Sequence, residues 1–161
     1  HATNQAVEKL YAGAGDTTHY VSVNDAGTKA NNYNNDGASG ALAVAVGIGA
    51  SAKGDGATAL GLNSSAKSKD AVAIGTDTRA ELEGSVALGK GSVANTAAGI
   101  AGFDPLTGFG STNTGSTWRS SAAAFSVGDV SRGITRQITG VAAGTADTRC
   151  GQCCTIKGCN I

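Results

Sequence analysis

The chain has 161 residues, of which 25 are glycine, and only 4% of its residues are aromatic. Its 12 basic and 12 acidic side chains balance, which excludes the basic surface that nucleic acid or an anionic membrane would attract. Because buried aromatic side chains normally dominate core energetics, a single copy has little to bury, and we expect it to self-associate.

No membrane span or leader is predicted. No run approaches the roughly 18 apolar residues that cross a bilayer, and the opening residues HATNQAVEKL lack the pattern of a signal peptide. We therefore expect the sequence to be a piece of a longer protein.

Residues 1–24 are expected to lead into the repetitive part of the chain. The stretch 3–12 is predicted to form one short helical piece. From His19 to Val23 apolar and polar residues alternate, which predicts a strand. The Asn, Asp and Gly residues that follow are typical of a turn and loop.

A fourteen-residue phrase then repeats four times without insertion. Its glycines follow the sequences AVAVG, ATALG, AVAIG and SVALG, and an alanine stands five residues after each glycine. Large apolar residues recur in register, which argues against a low-complexity linker. The glycines are Gly47, Gly61, Gly75 and Gly89, and the alanines are Ala52, Ala66, Ala80 and Ala94.

Each phrase is predicted to form two strands and two turns. In the first strand small residues alternate with large apolar ones, so neither face carries charge, and such strands are covered on both faces. In the second strand only one face is apolar; Ala50, Ser64, Thr78 and Ser92 are predicted to pack inward.

Coils of this kind stack into a short parallel β-solenoid, an all-β fold. We expect one face of the first strand to be covered by the second strand of the same chain, and the other face to be covered by a neighbouring copy. The predicted intersubunit residues in the coils are Val44, Val46, Leu60, Val72, Ile74, Val86 and Leu88.

Downstream of the coils the register is predicted to stop near residues 99–103. The stretch FDPLTGFGSTNTGSTW, 103–118, is interpreted as an irregular insertion whose aromatic residues pack on the end of the roll. Ile134, Ile138 and Val141 are spaced four and three apart, which predicts a helical turn or two. Ile134 and Ile138 are added to the predicted intersubunit core.

These motifs resemble the head of the trimeric autotransporter adhesins, the YadA-like family, over about residues 20–148. The phrase resembles the family's repeats, the stretch 103–118 looks like its head insert motif, and FSVGDVSRGITRQITGVAAGTADT is similar to its neck. The resemblance implies a left-handed parallel β-roll in a homotrimer with two further copies, followed by a short neck, on the surface of a Gram-negative bacterium.

The resemblance also suggests a domain organisation. It places packing of the insert and neck on Phe103, Asp104, Pro105, Trp118, Arg132 and Arg136. A binding loop is the alternative for Asp104, Pro105 and Trp118, and interchain polar contacts or a plain solvated face are the alternatives for the two arginines. The segments are a lead-in at 1–24, the head at 25–102, the insert at 103–120, the neck at 121–148 and an aberrant tail at 149–161.

The tail departs from the family, whose neck continues as DAVNVAQLK. It holds all four cysteines: Cys150, Cys153, Cys154 and Cys159. A metal knuckle and interchain disulfides are two readings of that spacing. We favour a third, a one-base frameshift, because a back-translation of residues 149–158 shifted by one base encodes DAVNVAQLK. On that hypothesis this chain lacks the stalk and the C-terminal membrane anchor.

No catalytic, cofactor or metal site is predicted. Neither His1 nor His19 lies near a nucleophile motif, and the glycine-rich stretch 47–52 is part of a coil. The carboxylates Asp70, Asp77, Glu81 and Glu83 are expected on turns and on a solvated face.

Two non-enzymatic functions remain. The first is an adhesive head that binds a host extracellular matrix protein, such as collagen, fibronectin or laminin, or host cells. The second is a spacer that projects another binding domain from the bacterial outer membrane. The predicted contact strip consists of Lys53, Lys67, Lys69, Arg79 and Lys90. Taken alone, the chain is expected to be a soluble fragment.

Overall fold

The computed structural model describes residues 22–142. Within that range the chain forms a parallel β-solenoid of about four turns, made of two facing sheets. The predicted helical piece at 3–12, most of the strand predicted at 19–23 and the tail at 149–161 lie outside the described residues. Ser22 and Val23, the described end of that predicted strand, are not in a strand.

Two sheets are built from successive coils, as the repeat predicts. Strands of the four repeated coils pair in parallel within each sheet at a spacing of fourteen residues, so that Val72 pairs with Thr58 on one side and Val86 on the other. The five-stranded sheet contains β1 (Val44–Val46), β3 (Thr58–Leu60), β5 (Val72–Ile74), β7 (Val86–Leu88) and β11 (Phe125–Ser126). The four-stranded sheet contains β2 (Ser51–Ala52), β4 (Ser65–Ala66), β6 (Arg79–Ala80) and β8 (Val93–Ala94).

The space between the sheets is filled by small side chains. Columns of alanine from both sheets make up the buried hydrophobic core, and Ser64, Thr78 and Ser92 are buried beside them, as predicted. Their hydroxyls donate to backbone carbonyls of their own turns, for example Thr78 Oγ1 to Gly75 O at 2.9 Å. Each buried hydroxyl therefore keeps a partner, and no large side chain separates the sheets.

The solenoid is interrupted after β8 and then continues. The chain leaves the roll and forms a hairpin of β9 (Phe103–Asp104) and β10 (Phe109–Gly110), which pair antiparallel. It returns at β11, where Phe125 pairs with Val86 and Ser126 with Ala87. The prediction that the register stops near residues 99–103 was therefore wrong in one respect, because residues 124–128, AFSVG, repeat the small-large-small-large-Gly phrase of the coils.

The helix predicted around Ile134, Ile138 and Val141 is not present. A single 3₁₀ turn, Val130–Arg132, begins after Asp129 and ends at Gly133 in the left-handed conformation. Ile138 and Val141 are exposed, and residues 135–139 adopt no regular structure. A short apolar period without a surface to pack against gives too little energy to hold a helix of this length.

Candidate functional surfaces

One face of the five-stranded sheet is apolar and half exposed. We call it the apolar face and define it by Val44, Val46, Leu60, Val72, Ile74, Val86, Leu88 and Phe125. The side chains at its edges are the most open: Val44 is 52% and Phe125 59% exposed. Thr58 is the one polar residue that the four described coils contribute to the same two columns.

The apolar face contains seven of the residues predicted to lie between subunits. The opposite face of the same strands is buried against the chain's own four-stranded sheet, as predicted. Phe125 was missed because it lies beyond the insertion; the signal that could have found it is the phrase AFSVG. Ile134 is partly buried near Gly91, and Ile138 is exposed, so neither extends the columns of the apolar face.

The five cations predicted to form one contact strip lie in different places. Lys53 and Lys67 stand fourteen residues apart at the end of the four-stranded sheet, with Arg79 beside them on β6. Lys69 lies in the turn that leads to the next coil, whereas Lys90 lies in the other turn, between β7 and β8. Since the two turns are at opposite corners of a coil, Lys90 is separate from the other four.

Acidic side chains compensate most of these charges. Glu81 Oε1 lies 3.0 Å from Lys67 Nζ and 3.7 Å from Arg79 Nε. Lys69 Nζ lies 3.8 Å from both Asp70 and Glu83. Lys53 makes no ion pair with any residue in the range 22–142. The carboxylates are thus on turns and the solvated outer face, where the sequence analysis expected them.

The insertion exposes large apolar side chains. In the hairpin Phe103 is 55% and Phe109 76% exposed, and Leu106 at its tip is almost fully exposed. Trp118 is half buried. The prediction that these aromatic side chains pack on the end of the roll was therefore wrong for the two phenylalanines, which remain exposed in their own chain. Pro105 begins the hairpin turn at residues 105–108, and Asp104, at the end of β9, accepts the Leu106 N–H through Oδ1 at 2.9 Å.

Arg132 and Arg136 both contact the end of the roll in their own chain. Arg132 Nη2 donates to Gly91 O at 2.7 Å, and Arg136 Nη2 donates to Lys90 O at 2.6 Å. Arg136 Nη1 also donates to Val127 O and to Ser92 Oγ. Neither arginine belongs to a plain solvated face, since their guanidinium groups are held by backbone carbonyls.

Asp129 positions Arg132. Its Oδ2 atom accepts from Arg132 Nε at 2.6 Å, and its Oδ1 atom accepts from the Ser131 hydroxyl at 2.5 Å. The Ser131 hydroxyl, followed by the Arg132 guanidinium, lowers the pKa of Asp129 below its ordinary value of 3.8. The ionised carboxylate of Asp129 therefore helps to hold the Arg132 guanidinium against the carbonyl of Gly91.

We expect Asp129→Asn to lower the thermal midpoint at neutral pH but hardly at all in acid. A pKa lowered by folding stabilises the fold above the group's ordinary value, and that stability is lost as the pH falls through the lower folded value. The difference in thermal midpoint between the parent and Asp129→Asn should thus be constant above about pH 5 and become smaller as the pH falls below about 4. Asp36→Asn, on an exposed loop, is the control; a difference in thermal midpoint that does not shrink as the pH falls below the ordinary value of 3.8 would contradict this role.

Among the described residues no cluster of His, Cys, Asp and Glu could hold a metal ion. No helix within 22–142 has the length and apolar character needed to span a bilayer. The apolar face, the charged outer side and the hairpin are three exposed surfaces of this part of the chain.

Comparisons with known proteins match the coils. Residues 38–64 and 66–101 match the family model of the YadA head domain repeat, in two copies. The autotransporter adhesin BadA of Bartonella henselae is 53% identical over 57 residues, which is 35% of this chain. The aligned part spans only 2% of the length of that relative.

Proposed function

We propose that this chain, in which residues 38–64 and 66–101 match the YadA head domain repeat, is part of the head of a trimeric bacterial surface adhesin that attaches to host extracellular matrix or host cells. The parent protein would lie at the outer membrane, and attachment would need no catalysis. The relative's name, autotransporter adhesin, supports this function.

The apolar face is the observation that carries the proposal. A face of valine, isoleucine and leucine that one chain leaves half exposed favours burial against another copy, since contiguous apolar patches mark interaction sites. Three copies around one axis would each bury this face and turn the charged outer side toward the host. Once one of the three identical outer surfaces has bound, the other two are held at a high effective concentration near the ligand. Weak individual contacts therefore add up to a strong attachment.

Binding of the whole chain to immobilised collagen, fibronectin and laminin tests the proposal. We expect saturable binding to at least one of them and none to serum albumin, measured by biolayer interferometry. A folded oligomer that binds none of the three and no cultured host cells would contradict the adhesive function and favour the alternative, a spacer that projects another domain.

A charge reversal locates the contact on the head. We expect Lys53→Glu to weaken binding by about twofold to fivefold per site, the range of an exposed charge contact, and by more when three sites engage together. Lys90→Glu, at the opposite corner of the coil, is the matched control. An equal loss in both variants, or a loss in Lys90→Glu alone, would place the contact elsewhere than on the four-stranded sheet.

A further inference from the structure

In each of the four coils, the strand of the five-stranded sheet lies between two turns, at opposite edges of the apolar face. We call the turn before the strand the entry turn and the turn after it the exit turn. In both kinds of turn the third residue has a positive φ. The entry turns are 40–43, 54–57, 68–71 and 82–85, and the exit turns are 47–50, 61–64, 75–78 and 89–92.

Leu42 is an exception among the entry turns. It has a φ of 58°, and leucine adopts this left-handed conformation only with strain, because its Cβ atom crowds the following carbonyl oxygen. Packing within residues 22–142 does not compensate for the strain, since the Leu42 side chain is 96% exposed. A strained and exposed apolar side chain indicates a contact with another molecule. At the equivalent position the later coils have residues that tolerate a positive φ, namely Gly56, Asp70 and Gly84.

The exit turns are apolar at the same end of the roll. Ile48, in the exit turn of the first coil, is half buried, and Leu62 in the second coil is 44% exposed. The later coils have polar residues at this position, Thr76 and Lys90. Both edges of the apolar face are therefore apolar at the first coil, and both lose this character along the roll.

The third coil has opposite charges at its two edges. Lys69, in its entry turn, has a side chain that is 62% exposed, and its Nζ atom lies 3.8 Å from the carboxylates that it meets in its own chain. Asp77, in its exit turn, is exposed and forms no ion pair with any residue in the described part of the chain. The two side chains cannot meet within one chain, because strand β5 spans about 10 Å between them.

A ring of copies closed through the apolar face brings the two edges together. Unlike a twofold dimer, a ring has a heterologous interface, in which each copy meets one neighbour with one edge and the other neighbour with the opposite edge. When the rolls are parallel and level, the entry turn of each coil faces the exit turn of the same coil in the next copy. The first coil then matches apolar with apolar, and the third coil matches basic with acidic.

We propose that the entry turns of one copy of this chain pack against the exit turns of a second copy. At the first coil Leu42 packs on Ile48, and this burial compensates for the strain of its backbone. At the third coil Lys69 pairs with Asp77. The inference rests on the trimer proposed above and names the residues at its edges. Because the columns of the apolar face are alike from coil to coil, the edge contacts distinguish level copies from copies displaced by one coil, in which Lys69 would lose its acidic partner.

Leu42→Asn tests the contact at the first coil, because it removes the apolar side chain and leaves a residue that tolerates a positive φ. We expect the chain concentration at which half of the trimer dissociates to rise by at least about tenfold, since every interface loses a buried leucine. Sedimentation equilibrium of the full chain over a dilution series measures this concentration. Leu106→Asn is the matched control: it changes an equally exposed leucine, 96%, at the tip of the hairpin, and it should leave the association unchanged.

A double-mutant cycle tests the pair at the third coil. Lys69→Gln and Asp77→Asn each remove one charge, and we expect each to weaken the association by about twofold to fivefold. Because the two groups contact each other across the interface, the double variant should associate no more weakly than the single variants. Since the two side chains cannot meet within one chain, this non-additivity can arise only between copies.

The proposal is overturned if Leu42→Asn and Leu106→Asn associate alike, or if the effects of Lys69→Gln and Asp77→Asn multiply in the double variant. It is also overturned if Leu42→Asn lowers the thermal midpoint without weakening the association, since Leu42 would then pack within its own chain. A parent trimer that gives these results but binds the host proteins leaves the proposed function intact. A parent chain that is a monomer contradicts both the edge contacts and the proposed trimer.

Discussion

Adding one methyl group at Gly61 should destabilise the roll by about 3 kcal/mol or more. The residue has a φ of 122°, a conformation that side chains other than glycine reach only with strain of about 1–3 kcal/mol. A Cβ atom there would also lie 2.9 Å from the backbone carbonyl of Gly75 in the next coil. Overpacking of a rigid neighbour costs a further 1–3 kcal/mol or so. Gly47, Gly61 and Gly75 each lie directly against the backbone of the next coil at this place, and Gly89 lies against the side chain of Arg136.

Urea unfolding of Gly61→Ala and Gly84→Ala separates the two contributions. Gly84 also has a positive φ, of 64°, but a Cβ atom there would meet nothing within 4 Å. We expect the control to lose only the conformational cost of about 1–2 kcal/mol. Equal losses in the two variants would show that the contact between coils adds nothing. A loss of 3 kcal/mol is a large part of the 5–15 kcal/mol that usually holds a domain together.

The coils could be predicted because each position in them has one environment. A fourteen-residue period assigns Ala59, Ala73 and Ala87 to the same buried column, and the alternation of small and large residues assigns the faces. The same period could have corrected the contact strip. Lys53 and Lys67 differ by one period, whereas Lys90 fits neither their column nor that of Lys69, so it could have been excluded from the sequence alone.

The parts that escaped prediction depend on contacts between distant residues. Phe125 enters the sheet 39 residues after its partner Val86 instead of 14, and the extra residues between the two strands hide the period. Arg132 and Arg136 were named from the sequence, but their partners were not, because both donate to backbone carbonyls of their own chain, which carry no sequence signal. The helix around Ile134 was overpredicted because periodicity indicates an apolar face but cannot tell whether a surface exists to cover it.

A single acidic residue in the centre of the apolar face should dissociate the proposed trimer. Val72 lies on β5, in the middle of the five-stranded sheet, and is half buried in one chain. In a trimer closed through this face, Val72→Glu would bring three carboxylates into an apolar interface. Like charges facing each other across an interface cost several kcal/mol, so we expect sedimentation equilibrium to show a trimer for the parent chain and a monomer for the variant.

Two controls make that result specific to the apolar face. Ser65→Glu places the same charge on the four-stranded sheet, on a side chain that is not part of the buried core, and should leave the trimer intact. Lowering the pH should restore association of Val72→Glu, because three neighbouring carboxylates raise each other's pKa above the ordinary value of about 4.3 and are neutral below it. A parent chain that is a folded monomer, or a Val72→Glu variant that remains a trimer at neutral pH, would contradict the assignment of this face. Apolar side chains occupy every position of these two columns except Thr58, so the proposed interface would extend along the whole roll. A buried charge in one coil would therefore oppose association along its full length.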